Sequence, residues 1–301
     1  MSKKIIDHQN VFDYSKKNKR TDDKNSKSTF VNAKNAYNTD KKNSNDEKKF
    51  ENVLGENIPY KNKKEELLYC GVHTCQAVFA QRKDDIIKVY LLKELIKEFS
   101  NLLKFCSTKK IAYRIVENKD LEKLTDSTHH EGIAVLTKTV RPKSFTQLPV
   151  NAPILWLDGV VNPHNIGTVM RIMAHFGWQS LLVSGTKISI SAAMARMSEG
   201  GCEFVKLYEA PSANVIALWA KKNGYKIIGT SSHCNKSVYE YHMHKKTLFV
   251  VGQEADGISN EVMRLLDESL IIPGTGNVES LNVSVATGIF LNEYSRKFGI
   301  K

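Results

Sequence analysis

The chain contains no run of eighteen apolar residues, and its opening MSKKIIDHQN has no apolar stretch leading to a small-residue cleavage site. Membrane spans and secretory signals need such runs, so neither is indicated, and a cytoplasmic location is expected. Cysteine is scarce. The five residues Cys70, Cys75, Cys106, Cys202 and Cys234 are odd in number and scattered, which suits reduced thiols better than a disulfide framework. The one cluster, Cys70-Gly-Val-His73-Thr-Cys75, lacks a second CxxC or HxxxH pair to complete four zinc ligands, and His242 and His244 lie far downstream. No metal is expected, and these cysteines read as small buried thiols on a helix. A G-x-x-x-x-G-K-[ST] loop is absent too, which argues against a nucleotide triphosphatase.

Positive charge, by contrast, is plentiful. Against 32 acidic residues stand 44 Lys and Arg, a net charge of +12 that suits a polyanionic partner. More than half of the excess lies in residues 1–64, with 16 Lys/Arg and 9 Asp/Glu among many Asn and Ser. So few large apolar residues cannot offset the entropy of ordering, and 1–64 is expected to be a disordered basic tail. Its charge suits either RNA or mere solubility.

The pattern changes at about residue 65. KEELLYCGVHTCQAVFAQ carries apolar residues at helix period (Leu67, Leu68, Cys75, Val78, Phe79), IIKVYLL reads as a strand and ELIKEFSNLLKFCS as a helix. AYRIV, ENKDLEKLTD and EGIAVLTK follow as strand, helix and last strand, giving a small α/β domain over 65–140. Residues 141–152, polar and Pro-bearing, read as a linker. From 153 to 301 strands and helices alternate: PILWLDGVV, SLLVSG, KIIGTSS, TLFVVG and SLIIP are apolar strands, CEFVKL is extended, and a helix is expected over 166–176. SANVIALWAKKNGY is a helix capped by Ser212 and stopped at Gly224. Near-continuous apolar strands between amphipathic helices predict a parallel sheet covered on both faces, with ligands beyond the strands' carboxyl ends.

At those ends lie the informative turns. IIPGTGNVESLN begins like a dinucleotide-binding turn, but Glu279 stands where the third glycine belongs and no strand follows to carry the ribose-binding acid. That reading fails. Three segments remain: NPHNIGTVMR at 162–171, GQEADGIS at 252–259, and Ser280-Leu281-Asn282. Together and in this order they resemble the SpoU (TrmH-like) family of RNA ribose 2′-O-methyltransferases. The resemblance covers roughly residue 153 to the C-terminus and extends more weakly to 66–138, where HHEGIAV is similar to the closing strand of the family's small RNA-recognition domain.

The resemblance implies a SPOUT-type fold: a parallel sheet with a C-terminal trefoil knot, behind a small α/β domain that recognises RNA. It implies S-adenosylmethionine as methyl donor, structured tRNA or rRNA as substrate, and a homodimer. Carried over position by position, Arg171 is the catalytic arginine. Guanidinium hardly ever deprotonates, so phosphate positioning and alkoxide stabilisation are at least as expected for it as a role as base. Asn165 is expected in the helix-opening turn, as cap, as ribose ligand or both, and Glu254 as a carboxylate orienting Arg171 or the substrate hydroxyl, or as a helix cap. Ser280 and Asn282 offer a hydroxyl and an amide to ribose and phosphate. Methyl-donor contacts are implied near Thr230, Gly252, Ile272 and Leu281, chiefly through backbone, with Gly252 allowing close approach. Two features depart from the family pattern: Gln253 in the second motif, and Glu199 beside the paired glycines of ARMSEGGC. Two other readings stay open, an RNA-binding factor or chaperone of the same fold without catalysis, and a knotted methyltransferase acting on a base.

Overall fold

The computed structural model describes residues 65–299 apart from 185, 186, 233 and 255, so the basic segment 1–64 lies outside the described residues. The first layer is a four-stranded sheet made of β1 (Glu66–Cys70), β2 (Ile86–Leu91), β3 (Ala112–Ile115) and β4 (Ile133–Lys138). Its order is β1-β4-β2-β3, so the strand that comes last in the chain pairs centrally, antiparallel to both β1 and β2. Helices α1 (Val72–Arg82), α2 (Ser100–Lys109) and α3 (Asn118–Thr125) complete this layer.

One expectation fails here. Leu67 and Leu68 fit a helical period, yet they lie in β1, and the helix begins only at Val72. The ladder from Glu66↔Lys138 to Cys70↔Ala134 satisfies this backbone, and pairing overrides a weak local preference. Cys70 is therefore a buried strand thiol, whereas Cys75 is buried on α1.

The segment 141–152 contains a two-residue strand, β5 (Lys143–Ser144), on the edge of a larger sheet. That sheet comprises β5, β6 (Ile154–Asp158), β7 (Ser180–Ser184), β8 (Lys206–Ala210), β9 (Lys226–Thr230), β10 (Thr247–Gly252) and β11 (Glu268–Leu270). All its pairings are parallel, in the order β11-β9-β10-β6-β7-β8-β5. From β10 the chain returns past β9 to form β11. The segment CEFVKL is less extended than its residues suggest: Gly201–Glu203 form a 3-10 turn and β8 starts at Lys206.

Alternate residues of the central strands enter two different cores. Leu155, Leu157, Phe249 and Val251 face one, together with Met170, Phe290 and the buried side of the small sheet. Ile154, Trp156, Leu248 and Val250 face the other, with Ile216 and Val262. Burial on both faces is why these strands are apolar at nearly every position. The covering helices are α4 (Pro163–His175), α5 (Ala192–Ser198), α6 (Ala213–Lys222), α7 (Asn260–Met263) and α8 (Val283–Phe298). Ser212 caps α6 as expected, accepting from the Val215 amide.

The small sheet is bolted to the large one by a buried ion pair. Arg82 of α1 donates from Nε to Glu203 Oε2 at 2.6 Å and from Nη2 to Oε1 at 3.0 Å, while its Nη1 donates to Thr137 Oγ1 and the Lys138 carbonyl, each at 3.0 Å. The Glu203 side chain is only 3% exposed. No helix among the described residues is long and apolar enough to cross a membrane.

Candidate active site

Each of the three motifs begins at the carboxyl end of a strand or at a helix start, and each contributes one side chain to a single hydrogen-bonded cluster. Asn165 Nδ2 donates to Glu254 Oε1 at 2.9 Å, Asn282 Nδ2 donates to the same oxygen at 2.5 Å, and Asn282 Nδ2 also approaches Asn165 Oδ1 at 3.3 Å. These three residues are separated by as many as 117 positions in the chain. Both amides converge on Oε1, and Glu254 Oε2 has no partner among the described residues.

Helix capping explains part of this geometry. Asn162, not Asn165, caps α4: its Oδ1 accepts from the His164 amide at 2.9 Å, with Pro163 at the first helical position. Asn165 thus sits inside the first turn, free to reach across to Glu254. Glu254 is not a cap either, since Ser259 caps α7 by accepting from the Val262 amide. Asn282 does cap its helix: Oδ1 accepts from the amide and hydroxyl of Ser284, at 2.9 and 2.5 Å. One amide group therefore starts α8 with its oxygen and grips Glu254 with its nitrogen. Ser280 is exposed and makes no side-chain hydrogen bond among the described residues.

Arg171 does not join the cluster. Six residues beyond Asn165, it lies about 9 Å further along α4 and about 240° around it. Its Nη1 instead donates to Glu199 Oε1 at 2.6 Å, both side chains being about half exposed. The expected contact between Glu254 and Arg171 is replaced by Glu199, the residue that stood out in ARMSEGGC.

Three of the four implied methyl-donor positions share one rim, and the fourth adjoins Asn282 in the chain. Thr230 ends β9, Gly252 ends β10 and Ile272 follows β11, three strands that are immediate neighbours in the sheet, while Leu281 precedes α8. Thr230 and Ile272 are half-buried and Leu281 is 44% exposed, an apolar side chain left at the edge of a polar loop. A hydroxyl, strand-end backbone and two aliphatic side chains suit an adenosine-like ligand, so the residues fit the expected group. The structure itself requires glycine at 252: a Cβ there would land on the Gly257 backbone, which is held against the chain after β10 by mutual Gln253 and Gly257 amide-to-carbonyl bonds of 3.1 and 3.0 Å. Gln253 turns its amide to Asp256 Oδ2 at 2.6 Å.

Comparison with known proteins gives the family and the fold. The SpoU rRNA Methylase family matches residues 152–292, and the RNA 2′-O ribose methyltransferase substrate-binding family matches 68–143. YfiF of Escherichia coli O157:H7, named as an uncharacterized tRNA/rRNA methyltransferase, is 31% identical over 82% of this chain and 73% of its own. The chain belongs to the SpoU methylase family. The 23S rRNA (guanosine-2′-O-)-methyltransferase RlmB of E. coli K12 is 28% identical over 77% of this chain and 98% of its own. An AdoMet-bound rRNA methyltransferase from Sinorhizobium meliloti has the same fold, with a TM-score of 0.66 at 18% identity over 77% of this chain and 88% of that one.

One site residue of this SpoU protein escaped the sequence reading. Asp158, at the end of β6, accepts from the Ser259 amide through Oδ2 at 2.7 Å and so ties the end of the second motif to the strand before the first. A lone acidic residue closing the apolar strand ILWLD was the available signal.

Proposed function

We propose that the chain methylates a ribose 2′-hydroxyl of structured tRNA or rRNA, taking the methyl group from S-adenosylmethionine, and that it works as a homodimer in the cytoplasm. The observation that carries this reading is the meeting of Asn165, Glu254 and Asn282, one from each motif, beside the strand-end rim of Thr230, Gly252 and Ile272, with Leu281 adjoining Asn282 in the chain.

Bound at that rim, S-adenosylmethionine supplies an electrophilic methyl on a sulfonium. The chain's own residues must hold the ribose, assist loss of its hydroxyl proton and stabilise developing negative charge. Two amide donors on Oε1 fix the orientation of the Glu254 carboxylate, and the unused Oε2 is a ready acceptor for the 2′-hydroxyl. Ser280 offers a free hydroxyl within the loop that leads to Asn282, suited to a neighbouring ribose or phosphate oxygen. Arg171 acts on phosphate, the role that the planar donor fork of a guanidinium supports best. The small α/β layer that matches the substrate-binding family is the natural second RNA contact. Because Arg82 and Glu203 lock it to the large sheet, it presents RNA at a set distance from the catalytic cluster.

Transfer of labelled methyl groups to RNA lacking the modification tests this reading. Wild type is expected to transfer and Glu254→Ala to lose at least about a hundredfold, the usual scale for a positioned proton acceptor. Transfer undiminished by either Glu254→Ala or Arg171→Ala would remove the role given to that residue. No transfer, with no S-adenosylmethionine binding by calorimetry, would favour an RNA-binding factor.

A further inference from the structure

Between α1 of the small layer and α4 of the large one runs a shallow cleft of about 520 Å³, lined by His73, Gln76 and Ala77 on one side and by Arg171, Glu199 and Phe204 on the other. The catalytic cluster does not use it. Three features of this cleft call for a cause. Phe204 is 47% exposed there, although a phenylalanine two residues from β8 had apolar cores on both faces of that sheet to enter. Arg171 spends only Nη1 on Glu199, and its Nε and Nη2 donors have no partner among the described residues. Glu199 itself occupies a left-handed backbone position, φ 44°, at the C-cap of α5, where glycine or asparagine is the unstrained choice.

The backbone around Glu199 cannot drift to relieve that strain. A Cβ on Gly200 would stand 2.7 Å from Ala77 Cβ, and one on Gly201 would stand 2.8 Å from Arg171 Cα. The two glycines are thus wedged between α1 and α4, and they fix the carboxylate beside the guanidinium. Held at Nη1, an arginine keeps its Nε–Nη2 edge, the pair of parallel donors that matches two oxygens of a phosphate.

We propose that this cleft is a nucleotide subsite for the substrate RNA, in which Glu199 aims the free edge of Arg171 at a backbone phosphate and Phe204 offers its ring to the attached base. Glu199 is then a positioning residue: it does not touch the RNA, and one negative charge placed against Nη1 leaves the phosphate-binding edge open. His73 and Gln76, both exposed on α1, line the same cleft; Gln76 Nε2 donates to Glu98 Oε1 at 3.0 Å, which leaves its Oε1 and the His73 ring to meet the edge of a base stacked on Phe204. RNA-binding proteins read splayed single-stranded nucleotides by this combination of a stacking ring, side-chain donors and a phosphate contact. The subsite lies about 9 Å along α4 from Asn165 and about 120° around it by the shorter way, so it takes a nucleotide flanking the one that reacts. The inference rests on the proposed methyl transfer to RNA.

The test uses the full chain with unmodified rRNA and tRNA, measuring RNA binding, its salt dependence, kcat and KM, with Tm as a control for folding. Phe204→Ala is expected to weaken RNA binding roughly five- to a hundredfold, the range for loss of one stacked base, with Tm unchanged. Arg171→Ala is expected to lower the slope of log affinity against log salt by about one. Glu199→Gly is expected to leave Tm equal or higher while transfer falls about tenfold. Glu199→Gln, which keeps an acceptor for Nη1, should retain most activity. In the Arg171→Ala background, Glu199→Gly should cost nothing more. Were Glu199 merely structural, activity would follow Tm instead. If Arg171→Ala impairs transfer while Phe204→Ala and Glu199→Gly leave binding and transfer intact, the subsite is wrong and the catalytic reading survives. If Arg171→Ala has no effect, its catalytic role falls as well.

Discussion

Arg82→Ala is the sharpest test of how the two layers are joined. Wild-type Arg82 makes two bonds to Glu203, at 2.6 and 3.0 Å, and bridges to Thr137 and Lys138 of β4. Removing the guanidinium leaves a carboxylate that is 3% exposed without its cation, and an uncompensated charge of that kind costs about 3–5 kcal/mol. At about 2–4 °C per kcal/mol for a folded region of this size, Tm should drop by roughly 6–20 °C. Replacing both partners by apolar residues of similar volume, as in Arg82→Met with Glu203→Leu, removes the buried charge entirely and should recover most of that loss. Arg141→Ala is the matched control, because Arg141 and Glu65 pair at 2.9 Å with both side chains more than three-quarters exposed, and its effect should stay within about 0.5 kcal/mol. Differential scanning calorimetry measures all of these. An Arg82→Ala shift no larger than that of Arg141→Ala would refute the idea that a buried ion pair couples the layers.

Other outcomes follow from the same geometry. Asn282→Ser keeps a capping oxygen and loses the amide donor, so stability should hold within about 0.5 kcal/mol while methyl transfer collapses; Asn282→Ala should lose transfer and also about 1 kcal/mol of stability, read from urea unfolding. Burial pushes the Cys202 thiol up to about 12 and the Cys106 thiol to about 11, and Cys75 also rises, so with a thiol reagent at pH 8 the native protein should react at Cys234 far faster than at the other four. The sign of the linked pH effect follows. These thiols stay protonated in the folded chain and ionise at ordinary values when unfolded, so stability is full below about pH 8.5 and falls as pH rises toward 11–12. A stability that rose across this window would contradict the burial argument.

Much of the site was legible before any coordinates, and the reason is physical. Strands such as ILWLD and TLFVVG are buried on both faces, so their apolar runs stand out, and parallel topology places their carboxyl ends together. The turns after those strands could therefore be singled out from topology, whereas Asn165, Glu254 and Asn282 were picked out within them by the family resemblance. What was illegible depends on partners distant in sequence. Glu203 meets Arg82 across 121 positions, and nothing near either residue announces the other. Arg171 sits correctly in its motif, but its direction is set by Glu199, whose carboxylate reaches it only because two glycines let α1 and α4 close on that loop. β1 was misread because five residues carry too few alternations to separate strand from helix until β4 pairs with them.

The central claim is that the methyl group goes to a ribose oxygen. Its most direct test is to incubate the protein with labelled S-adenosylmethionine and unmodified rRNA or tRNA, digest the product to nucleosides and locate the methyl by mass spectrometry. Wild type is expected to yield a 2′-O-methyl nucleoside that is lost in Glu254→Ala; a methyl group found on a base would overturn the ribose assignment.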